Sequence, residues 1–119
     1  MLKVNSVANF MNFLKKYMKE NFQGTNDLLA ERIRALGGYS PASLQEFLSL
    51  TQLAENRSGA LAYRTMLEIL LKDHETVIKS LRIAAQLSAN VNDWGTNNMI
   101  AGLLESTEKN AWMICAHLK

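Results

Sequence analysis

Residues 58–89 read SGALAYRTMLEILLKDHETVIKSLRIAAQLSA, and their spacing decides the fold class. Leu67, Leu70, Val77, Ile78, Leu81, Ala84 and Ala85 recur with a helical period, so a helix gathers them into one apolar stripe. A half-buried strand would instead alternate apolar and polar residues, and no such alternation lasts more than a few residues anywhere in the chain. His74 falls on this stripe between Leu70 and Val77, whereas its acidic neighbours Asp73 and Glu75 point away around the helix. That placement makes it a histidine of a core or an interface before it makes it a metal ligand.

Working outward, the other segments carry the same period. Toward the C-terminus, residues 90–95 form a turn with Thr96 as N-cap. The last helix then aligns Met99, Ile100, Leu103, Leu104, Ala111, Ile114 and Leu118 on one side. Toward the N-terminus, residues 39–57 form a connector with a short amphipathic helix. Pro41 suits its first turn, and Leu44, Phe47 and Leu48 share a face. Further back, Gly24 to Asp27 is expected to break the chain and start a helix, capped by Thr25 or Asn26. Leu28, Leu29, Ile33 and Leu36 continue the pattern to Gly37-Gly38, a stop signal because glycine accepts left-handed backbone angles. Residues 2–22 place Val4, Val7, Met11, Leu14 and Met18 on one more stripe. The expected class is all-α, a single domain over residues 1–119. A long connector bearing a small helix hints at a bundle with one crossover, because neighbouring antiparallel helices need only a short loop.

Composition narrows the functional classes. The chain has 119 residues, 48% hydrophobic and 20% charged, with one proline and six glycines, which suits one helical domain. A single cysteine, Cys115, rules out an intrachain disulfide and a cysteine zinc site. With no apolar run of spanning length and no secretory leader pattern, the expectation is a soluble cytoplasmic protein without a membrane partner. The net charge of +2 does not by itself imply nucleic acid. Lys3, Lys15, Lys16 and Lys19 do concentrate basic charge in residues 1–22, where a solvated helix face is the simpler reading than a DNA patch.

Few side chains can carry chemistry. Asp27 and Glu31 are four residues apart, so both carboxylates lie on one helix face, the donor type that hard or borderline cations such as iron require. Acid pairs of this spacing are also common on solvated helices, and Arg32 stands next to Glu31. The Glu-x-x-His motif of di-iron bundles is absent, as are a phosphate loop, a nucleophile elbow and a Cys-x-x-Cys pair. Cys115 and His117 face different directions. Met11, Met18, Met66, Met99 and Met113 read as packing residues, as do Trp94 and Trp112.

Several ordered stretches resemble one family. Asn26-Asp27-Leu28-Leu29-Ala30-Glu31-Arg32-Ile33-Arg34-Ala35-Leu36-Gly37-Gly38 is similar to the end of the second helix of Dps proteins, the DNA-binding proteins from starved cells. Pro41 to Phe47 resembles their crossover helix, Asp73 to Ile78 their third helix, and Gly95 to Asn98, Glu108 to Met113 and Ala116 to Leu118 their fourth. The resemblance implies a ferritin-like helical bundle with a crossover helix. It also implies twelve subunits in a hollow shell, oxidation of ferrous iron by hydrogen peroxide, storage of the ferric product, and protection of DNA. Asp27 and Glu31 match the acids that one subunit lends to a metal centre shared with another, and Asp93 matches the region of acids lining a pore that draws in iron.

The chain departs from that pattern in its first part. Residues 1–25 contain no histidine and no aspartate, so the histidine half of the shared centre has no counterpart. Either Val4 to Phe13 corresponds to the start of the family's first helix, with a jump to the end of the second, or residues 2–25 are an altered second helix and the first is gone. On both readings the four-helix bundle is about one helix short, leaving an apolar face for oligomerisation to cover. Asn98 replaces a usual pore acid, and no long lysine tail precedes Val4 to hold DNA. Two functions follow: an iron-oxidising and iron-storing shell subunit, or a structural or assembly subunit of such a shell without ferroxidase activity.

Overall fold

A computed structural model describes residues 23–55, 59 and 61–119. The stripe expected over residues 2–22 and its lysine face lie outside the described residues. Within them the chain forms four helices and no strand: α1 (Gln23–Ala35), α2 (Leu44–Leu50), α3 (Tyr63–Asn90) and α4 (Trp94–Leu118). The all-α expectation holds. The chain divides into two compact units, Met1–Ala42 and Ser43–Lys119.

In the first unit, α1 runs without interruption through Gly24, Thr25, Asn26 and Asp27. The break expected there does not occur, and neither Thr25 nor Asn26 is a cap. Gly24 stands next to the first described residue of the helix, and its helical conformation costs up to about 1 kcal/mol relative to alanine. The expected stop at the other end does occur. The Gly38 amide donates to the Ile33 carbonyl at 2.9 Å and the Gly37 amide to the Arg34 carbonyl at 3.0 Å. Gly37 takes φ +89°. These paired bonds satisfy carbonyls that the end of the helix would otherwise leave open. A Cβ at Gly38 would sit 3.0 Å from Ile33 Cγ2, so the Ile33 side chain would have to shift to admit one. Arg32 and Arg34 in the last turn suit the negative end of the helix dipole, and the Arg34 guanidinium lies 4.7 Å from the centre of the Tyr39 ring.

In the second unit, α2 starts at Leu44 and not at Pro41. Its N-cap is Ser43, whose hydroxyl accepts from the Glu46 amide at 3.2 Å and donates to the Glu46 carboxylate at 3.1 Å. A capping pair with a side chain on both sides outcompetes the fit of proline to a first turn. No residue of α2 is buried, and Leu44 is 81% exposed. The segment after it is tied to α3, where Ser80 donates to the Gln52 side chain at 3.0 Å.

The helices α3 and α4 pair along their length. The Asn97 side-chain amide donates to the Ala85 carbonyl at 2.8 Å, Arg82 pairs with Glu108 at 2.7 Å, and Arg64 donates to the Leu118 carbonyl at 3.2 Å. Contacts descend α3 as they ascend α4, so the two are antiparallel. Buried positions are Leu67, His74, Ile78 and Ser88 on α3, with Ile100 and Ile114 on α4. Ile83 and Leu87 carry apolar side chains outward, and Val77, expected among the buried residues, is covered only in part, with 38% of its surface exposed. The reversal between the helices repeats the device that ends α1. Asn92 adopts φ 59° and donates to the Ala89 carbonyl, and the Asp93 amide donates to the Ser88 carbonyl at 2.8 Å. Asparagine is among the few residues that accept this conformation.

Two substitutions test these assignments. Gly37→Ala forces a side chain into a left-handed angle and should cost about 1–2 kcal/mol, read as a lower midpoint in denaturant unfolding. Leu67, 1% exposed, should lose about 2–5 kcal/mol on change to alanine, a larger drop in the same measurement.

Candidate metal centre

The continuous course of α1 settles where Asp27 and Glu31 stand. Both lie inside one regular helix, four residues apart, and positions so spaced have Cβ atoms about 5–6 Å from each other. Both side chains are exposed. Among the described residues neither carboxylate has a hydrogen-bond or ion-pair partner. Two adjacent, solvated carboxylates form a bidentate oxygen face that attracts a cation without first having to release a competing arginine or lysine.

In donor chemistry this pair suits iron, since first-row divalent ions accept carboxylate oxygen readily. In number it is insufficient, because such ions fill four to six positions. Among the described residues no group of three or more His, Cys, Asp or Glu side chains converges. The two acids can therefore form one wall of a centre whose other donors come from elsewhere.

The histidines are placed for other work. His74 is buried on α3, and its Nδ1 donates to the Leu70 carbonyl one turn back at 2.8 Å. His117 is exposed near the end of α4, and its Nδ1 donates to the Met113 carbonyl at 2.7 Å. Each bond assigns the proton of the neutral ring to Nδ1. The reading of His74 as a core residue agrees with its burial. Cys115 is an exposed, free thiol on α4. Trp94 and Trp112, expected to pack, are 61% and 68% exposed in the single chain.

Asp93 has a structural task that the sequence reading assigned to Thr96. It is the N-cap of α4: Oδ1 accepts from the Thr96 amide at 3.1 Å and Oδ2 from the Thr96 hydroxyl at 2.5 Å. Gly95 and Thr96 belong to the helix itself. The signal was present as an acid three residues before a threonine, but threonine is also a good cap and the glycine between them imitated a turn. Asn98, which stands where the resemblance implies a pore acid, is exposed one turn further along α4.

The ferritin-like domain model matches residues 1–119, through both units. A low temperature-induced protein of Nostoc is 38% identical over 89 residues, covering 74% of this chain and 50% of that protein. The DNA protection during starvation protein 2 of Bacillus anthracis is 34% identical over 92 residues, covering 77% and 62%. The chain thus spans about half to three-fifths of the length of these curated relatives. Among solved structures, antigen TpF1 from Treponema pallidum superposes with a TM-score of 0.89 at 26% identity, covering 99% of this chain and 74% of that one. Dps from Staphylococcus aureus does so with a TM-score of 0.84 at 29% identity, covering 99% and 77%.

The role of Asp93 in capping has a direct test. Asp93→Ala should lower stability by about 0.5–2 kcal/mol, while Asp93→Asn, which keeps an accepting oxygen, should retain most of it. Thermal unfolding of the two variants separates the cap from any effect of charge.

Proposed function

Because the chain belongs to the ferritin-like family, and within it to the Dps mini-ferritins, we propose that it handles iron as a subunit of a shell and protects DNA by removing ferrous iron and peroxide together. The observation that carries this reading is the exposed Asp27–Glu31 pair on α1, with no described partner for either carboxylate. In the proposal these oxygens are one subunit's share of a centre completed by a second subunit, and ferrous iron is the substrate bound there. Peroxide takes up two electrons on its way to water. A centre that brings two ferrous ions to one peroxide supplies both, whereas a single ferrous ion releases hydroxyl radical. Iron oxidation and DNA protection are then the same event.

The proposed assembly is a closed homo-oligomer of the dodecameric type, which also gives the exposed apolar residues of α2 and α3 somewhere to be buried. Asp93 is the acid proposed for the pore. Its carboxylate already offsets the positive end of α4, so it contributes less field to an incoming cation than an unengaged acid would. DNA is proposed as a partner in line with the relative named for DNA protection. Its contacts would be electrostatic, with Lys3, Lys15, Lys16 and Lys19 as the basic side chains to test.

A second reading has its own observation. Residues 1–25 hold no histidine and no aspartate, so this stretch supplies no histidine to a shared centre. The chain would then be a structural subunit in which the scaffold persists without ferroxidase activity.

Stopped-flow oxidation of ferrous iron by peroxide distinguishes the two. On the first reading the protein exceeds the protein-free control, and Asp27→Asn or Glu31→Gln lowers the rate by roughly tenfold or more, since even outer partners of metal ligands matter by about 10–100-fold. A rate equal to the control removes catalysis and leaves the structural reading. Light scattering should find one species of many subunits on both readings, and a monomer would overturn both.

A further inference from the structure

We draw no further inference here: the strongest candidate, the exposed apolar patch of Ile83, Leu87 and Val91 that ends at Trp94 beside the turn between α3 and α4, has nothing in the structure to show what covers it.

Discussion

The antiparallel pairing of α3 with α4 is the constraint on which the second unit depends. Each helix alone has one apolar stripe and gains little by standing in water, since helical stability in proteins comes mostly from packing that stripe. Leu67, Ile78, Ile100 and Ile114 are buried on the two helices, and for the helices to pair the chain must reverse within a few residues. Asn92 permits the reversal by accepting a left-handed angle, and Asp93 completes it by accepting from the Thr96 amide and hydroxyl in the first turn of α4. A small set of polar bonds thereby sets the register in which the apolar residues meet. The exposed Arg82–Glu108 bridge decorates that register; exposed pairs of this kind contribute about 0–1 kcal/mol.

The candidate centre rests on a different kind of order. Asp27 and Glu31 need only an unbroken helix to stand side by side, and α1 supplies one from Gln23 to Ala35. Burial would work against such a pair, because two neighbouring carboxylates out of water repel and lose solvation. Exposure leaves both carboxylates open to a cation arriving from solvent. The same exposure limits what the pair can do alone: with two donors it can attract an ion, but it cannot surround one.

Much of this was legible in residue spacing. The stripes on α3 and α4, the stop at Gly37-Gly38, the small helix in the connector and the adjacency of Asp27 with Glu31 all follow from local geometry. The errors were also local in kind. Glycine disfavours helix, which makes Gly24 look like a break, yet Gln23 to Asp27 are helical through it. Pro41 and Thr96 were chosen as boundary residues, whereas Ser43 and Asp93 hold those positions. In both places two residues of suitable chemistry lay close together, and single-residue preference does not rank them. The capping bonds actually formed do.

What the sequence by itself determined is therefore the set of helices, the acids that share a face, and the absence of histidine from the first 25 residues. Each of these depends on composition or on a period of a few residues. The tertiary structure alone decided how far each apolar residue turns inward: Ile78 is buried while its neighbour Val77 keeps 38% of its surface exposed. It also decided that His74 bonds to its own helix and that Asp93 caps α4. A period marks a face without saying how much of it a neighbour will cover, and a carboxylate or imidazole acquires its partner only when the chain brings one within bonding distance.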